Sequence, residues 1–192
     1  MTDSDDKVAI NAVIALGNIV VNNLDAEQQP ALPVETVSLI MQAMLQRVSI
    51  CLQNGSVKEA DKMLAALMNT VSMSDDQIFE QIPALVTLCE QIMASDFPED
   101  TKKITVRIFT EIVEVSAEVR KQLRDMLQNF IRNYVIPRLV PGEEVIQNWL
   151  SSEKDFVFED NTMQDVCEKC VEAAAFSLGK QIMNPLLHDV VQ

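Results

Sequence analysis

The sequence predicts an all-α protein in which antiparallel helix pairs stack into a solenoid. Three observations carry this expectation. Aliphatic and methionine side chains supply the apolar content: of 192 residues, 48% are hydrophobic but 5% are aromatic. Glycines and prolines number 4 and 7, few for a β-sandwich, which needs many turns between β-branched and aromatic strands. Apolar residues recur three and four positions apart along segment after segment, the rhythm of one helix face. The length suits a single domain spanning residues 1–192, with enough chain to bury a core.

Residues 5–23 read as a helix behind an Asp-rich N-cap, with Val8, Ala12, Ala15, Leu16, Ile19 and Val20 on its core face. A polar, proline-bearing connector covers 25–32, and Pro33 stands in the first turn of the next helix, where proline is tolerated. That helix spans 34–53, with Val34, Val37, Met41, Met44, Val48 and Cys51 inward, and Asn54-Gly55 ends it. Helix 57–72 buries Val57, Ala60, Met63, Leu64, Leu67 and Val71. Ser74-Asp75-Asp76 caps a helix to Ala94 with Ile78, Ile82, Leu85, Cys89 and Ile92 inward, and Pro83 kinks it or shifts its start. Asp96-Phe97-Pro98 breaks the chain before helix 99–116, which carries Ile104, Ile108, Ile112 and Val115. One long helix is expected over 119–140, with Leu123, Leu127, Phe130, Tyr134 and Val135 on its stripe and Pro137 bending or ending it. A helix over 162–180 follows, apolar through Val166, Cys170, Ala174, Phe176 and Leu178, and Asn184-Pro185 opens a last helical start.

The starts are regular. First helices of each pair begin near 34, 77 and 119, second helices near 57 and 99, giving a period of about 42 residues, within the range of HEAT and armadillo units. The next second helix is due near 141 but begins near 162, so residues 141–161 are an insertion of about 20 residues inside one repeat. Two second helices also match locally: Val8, Ala12, Ala15, Leu16 and Gly17 share the spacing of Cys170, Ala174, Ser177, Leu178 and Gly179. Neither terminus has the polar outer face of a capping repeat, so the chain is expected to be a segment of a longer array of about four repeats here.

The net charge of −14 argues against direct contact with nucleic-acid phosphates and favours basic protein partners. Positive charge gathers before the insertion, at Lys102, Lys103, Arg107, Arg120, Lys121, Arg124, Arg132 and Arg138. No run approaches the roughly 20 apolar residues that span a bilayer, and the acidic start has no signal-peptide pattern. Cys51, Cys89, Cys167 and Cys170 read as reduced thiols of a cytosolic or nuclear protein. Cys167 and Cys170 have metal-type spacing, but the other candidate ligands, Cys51, Cys89 and His188, belong to different repeats. His188, the single histidine, has no nucleophile in a triad-like arrangement, and the glycines form no phosphate loop. No cofactor and no enzymatic activity are expected. The methionines, Met41, Met44, Met63 and Met126 among them, fall on apolar stripes and read as core filling, with an adaptable binding groove as the second reading.

The insertion is the acidic, aromatic-bearing exception to this rhythm. Glu143, Glu144, Glu153, Asp155, Glu159 and Asp160 face one cation, Lys154, and Trp149 is the sole tryptophan. Such a segment either holds a basic partner or is a solvated, solubilising loop. Trp149 either stacks on a Lys or Arg of that partner or anchors the loop on the helices.

The stretches GEEVIQNW, FEDN and CEKCVEAAAFSLGKQIMNPLL, set in this helix order, resemble the importin-β (karyopherin-β) family of nuclear import receptors. The resemblance covers essentially the whole chain. It implies a right-handed superhelix of HEAT repeats that carries basic cargo, of ribosomal-protein or histone type, on its concave face. It also implies cargo release by the GTP form of the Ran GTPase, contacts with FG-repeat nucleoporins, and shuttling between cytoplasm and nucleus. The family's acidic loop, which contacts Ran or cargo, maps onto 143–160, so the resemblance assigns partner binding to Glu143, Glu144, Trp149, Glu153, Asp155, Glu159 and Asp160. The acidic run here is interrupted over 145–152. The alternative is a non-enzymatic HEAT-repeat scaffold or regulatory subunit that organises a protein complex.

Overall fold

The apolar stripes become helices throughout the described residues, which in this computed structural model are 3–24, 32–73, 75–114, 117–139 and 162–191. Every regular element among them is helical: α1 (Asp3–Leu24), α2 (Val34–Gln53), α3 (Val57–Met73), a 3₁₀ segment (Asp75–Gln81) leading into α4 (Ile82–Ala94), α5 (Glu99–Glu114), α6 (Ala117–Gln122), α7 (Arg124–Phe130), α8 (Met163–Leu178) and α9 (Lys180–Val191). The protein is all-α. Connector residues 25–31, and Ser74 and Val115, lie outside the described residues.

Local chemistry sets the turns. The amides of Asn54, Gly55 and Ser56 return to the carbonyls of Ile50, Leu52 and Cys51, and Gly55 takes φ 72°, a conformation that costs a side-chain-bearing residue about 1 kcal/mol or more. Gly179 (φ 76°) ends α8, and its carbonyl accepts the first amides of α9, from Ile182 and Met183. Pro33 is the N-cap of α2, one position earlier than expected. Its carbonyl accepts from Thr36 and Val37. Pro83 does shift a start: it falls at the second position of α4, where its missing N–H has no helical partner to lose.

The helices arrange in two layers. α1 packs on α3, α3 on α5 and α5 on α8, while α2 meets the 75–81 segment and α4, and α4 meets α7. The layers are joined by α1–α2, α2–α3 and α4–α5 contacts. One continuous core runs between them, with Met41, Met44, Met63, Leu64, Leu67, Ile82, Leu85, Ile92, Ile108 and Phe109 fully buried. Phe109 of α5 stacks on Phe130 of α7, ring centroids 3.9 Å apart and planes 16° from parallel. Gln81 donates to the Ser38 hydroxyl at 2.7 Å and so ties the 3₁₀ segment to α2.

Several expectations change. The long helix over 119–140 is broken at Leu123, and after Phe130 it widens to a π turn over Ile131–Val135 and tightens to a 3₁₀ turn over Ile136–Arg138. Pro137 has no amide and crowds the carbonyl four residues back, while the Ile136 amide reaches Ile131, five residues back. Val8, Ala12, Ala15, Leu16 and Ile19 of α1 face outward; Val20 is buried as expected, and Ile10 and Gly17 are buried with it. α1 is apolar on more than one face, and α2 and α3 cover one side of it. Val34, the first residue of α2, is 54% exposed and Phe176 85%, so neither faces the core as expected, and Pro185 lies inside α9, which starts at Lys180 and not at Asn184.

Gly17 is a close-packing position. A Cβ there would sit 2.9 Å from Met44 Cε and 3.5 Å from Thr70 Oγ1. The methionine tip can move, and alanine favours helix over glycine by about 1 kcal/mol, so Gly17→Ala is expected to leave the urea midpoint nearly unchanged. Gly17→Leu cannot be accommodated by that tip alone and is expected to cost about 1–3 kcal/mol in the same titration.

Candidate functional site

Helical spacing gathers a polar groove across α3, α5 and α8. Arg107, Thr110 and Glu111 are three and four residues apart on α5, and Asp165, Glu168, Lys169 and Glu172 follow the same rhythm on α8, so each set shares one face. With Met68 of α3 and Val166 they line an open groove of about 850 Å³. Four carboxylates there meet two cations.

The groups differ in how far they are engaged. Asp165 belongs to a capping box that starts α8: its Oδ2 accepts the Thr162 amide at 2.8 Å, and its own amide donates to Thr162 Oγ1 at 3.2 Å. Glu168 accepts from Gln164 Nε2 at 2.9 Å, and Thr110 donates to the Val106 carbonyl at 2.9 Å. Glu111 is half-buried, and that burial, reinforced by the charge of Glu114, holds its carboxyl above the ordinary value. A cation brought to this rim would relieve that cost.

Glu143, Glu144, Trp149, Glu153, Asp155, Glu159 and Asp160 lie outside the described residues. The structure gives the ends of their segment: the turn through Arg138, whose guanidinium donates to the Tyr134 carbonyl at 2.6 Å, and the Thr162 cap. Nothing in the linear sequence marks the groove, because its residues come from three helices and no single one carries a motif. The cations over 102–138 serve different places. Arg107 lines the groove, whereas Lys102 and Arg138 share a smaller cleft with Phe97, Glu99, Pro137 and Met163. Lys103 pairs with Glu99 at 3.6 Å and Asp100 at 3.4 Å.

The four cysteines are all buried and reduced. Burial pushes the Cys167 thiol up to about 11, against a small opposing effect of Arg138. Cys170 is pushed up to about 12 by burial, with the Thr110 hydroxyl pulling the other way. Burial likewise raises Cys89. Among the described residues no group of three or more His, Cys, Asp or Glu side chains could hold a metal ion, and His188 is exposed on α9. No described helix is long and apolar enough to cross a membrane. No protein-family model matches the chain, and no curated protein matches it.

Because the folded state holds the Glu111 proton more tightly than the unfolded chain, this group contributes most below the ordinary carboxyl value and its contribution falls as pH rises through the raised one. Glu111→Gln is therefore expected to raise the thermal midpoint at neutral pH and to leave it unchanged near about pH 3.5, where both forms are neutral. Thiol titration gives a second check. At about pH 8 the native protein is expected to react slowly with an aromatic disulfide reagent, and all four thiols to react at once after denaturation.

Proposed function

We propose that this chain is a non-enzymatic HEAT-type α-solenoid segment that binds basic protein segments, as part of an importin-β-like nuclear transport receptor. The observation that carries the reading is the groove across α3, α5 and α8, where Glu111, Glu168 and Glu172 line a face built by successive second helices. Further support comes from the two-layer order of helices and from element starts at Val34, Asp75 and Ala117, and at Val57 and Glu99. These are the spacings of a helical repeat. A net charge of −14 steers basic partners toward such a face and makes binding salt-dependent.

In this reading Lys and Arg side chains of cargo approach the groove carboxylates, and Arg107 and Lys169 restrict the approach to particular registers. The acidic segment 141–161 is the second contact, through Glu143, Glu144, Glu153, Asp155, Glu159 and Asp160, with Trp149 available to a cation. Interaction with Ran-GTP and FG nucleoporins, and shuttling through the nuclear pore, follow from the family resemblance and belong to the same proposal.

Fluorescence anisotropy with a lysine-rich peptide tests it at low and physiological salt. The native protein is expected to bind saturably, with affinity falling as salt rises. Glu111→Gln with Glu172→Gln should weaken binding several-fold, and a variant with the six acidic residues of 141–161 changed to their amides should weaken it further. Binding that both variants retain in full would sink the electrostatic site, and no binding at either salt would favour a scaffold.

A further inference from the structure

Among the described residues Phe176 is the most exposed large hydrophobic side chain. A single exposed apolar residue means little by itself, but this one has a particular place. It stands in α8 one turn after Glu172, which is also exposed. At 3.6 residues per turn it lies within about 40° of Asp165, Lys169 and Glu172 around the helix axis, on the side that lines the groove. α5 and α8 run in the same direction. Met163, at the start of α8, shares a cleft with Phe97, Glu99 and Lys102, and Cys170 lies beside Thr110 further along. Phe176 therefore marks the end of the groove where both helices finish.

This ring is not a seam awaiting another helix. In a stack, the next second helix stands on the side of α8 opposite α5. That side carries the partly buried Val171 and Leu178, about 140–160° away from Phe176 around the axis. Continuation of the array leaves the ring open on the groove.

Four residues apart on a helix surface, Glu172 and Phe176 are neighbours, with Cβ atoms about 5–6 Å apart. A carboxylate and an aromatic face at that spacing match one side chain of a basic segment. The planar guanidinium of arginine stacks on a ring while its edge donates two parallel hydrogen bonds to a carboxylate. Lysine brings a compact, strongly hydrated point charge without that planar fork. Glu172 makes no ion pair among the described residues, whereas Asp165 accepts from Thr162 and Glu168 from Gln164.

We propose that Glu172 and Phe176 form an arginine-selective subsite at this end of the groove. The guanidinium of a partner's basic segment lies on the Phe176 ring and pairs with Glu172. Lys169 stands two turns back from the ring, about 10 Å along the axis, far enough for salt to screen its repulsion. The inference rests on the reading of the groove as a site for basic segments, and names the side chain that this end selects.

Fluorescence anisotropy tests it on the whole chain with two labelled peptides of equal length and charge, one carrying lysine and the other arginine at every basic position. Carboxylates favour arginine on their own, so the measured quantity is the share of the preference that Phe176 supplies. The arginine preference of the native protein is expected to exceed that of Phe176→Leu by about two- to five-fold, with the lysine peptide bound nearly equally by both. Phe176→Trp is expected to retain the preference, since tryptophan offers the better ring face. The ring is exposed, so circular dichroism should show unchanged helix in both variants. A preference that Phe176→Leu keeps in full overturns the subsite and leaves the groove standing. Equal weakening of both peptides by Phe176→Leu also overturns it, because the ring would then be an unselective apolar contact. Native protein that binds neither peptide overturns the groove reading and the subsite with it.

Discussion

The burial of α5 between neighbours on both sides constrains everything around it. Thr101, Thr105, Val106, Ile108, Phe109, Ile112 and Val113 are all buried, so this one helix meets α3, α4 and α8. Fully burying an aliphatic or aromatic side chain is worth about 1.5–3 kcal/mol, and five of these are of that kind. The Phe109–Phe130 stack extends the contact to α7. With aromatics at 5% of the chain, that pair is among its largest single apolar contacts. The Thr105 hydroxyl is satisfied within the helix, by the Thr101 carbonyl at 2.8 Å, so it can be buried without a partner from another element.

A helix enclosed in this way has one strip left for polar residues, and Arg107, Thr110 and Glu111 occupy it. The groove follows from this. α8 packs alongside α5, and its own polar strip then falls opposite. The alignment of α8 owes little to the length of residues 140–161, because the Thr162–Asp165 capping box restarts the helix through its own hydrogen bonds. A connection of any length is tolerated at such a point since loop-closure entropy grows slowly with length. Burial also explains why the Cys167 and Cys170 pair, despite its spacing, has the chemistry of core side chains. Desolvation pushes both thiols above their ordinary value.

Much of the fold was legible in the sequence. α2, α3 and α4 bury Met41, Met44, Val48, Met63, Leu64, Leu67, Leu85 and Ile92 as their periodicity requires, and Asn54-Gly55 and Asp96-Phe97-Pro98 end helices where they should. The candidate site was less so. Composition singled out residues 141–161, whereas the groove joins positions some 60 residues apart, such as Arg107 and Lys169. Charged residues at helical spacing look alike whether they line a groove or face open water.

The sequence by itself determined the helical class, the order of elements and the buried stripes of the central helices, because each of these follows from local periodicity and from where proline and glycine fall. Only the tertiary structure decided which face of α1 is covered, that Phe176 points outward, and how the helix before Pro137 rewinds. Periodicity tells where a helix carries apolar side chains. It cannot tell on which side a neighbour stands, and burial is a property of the neighbour as much as of the stripe.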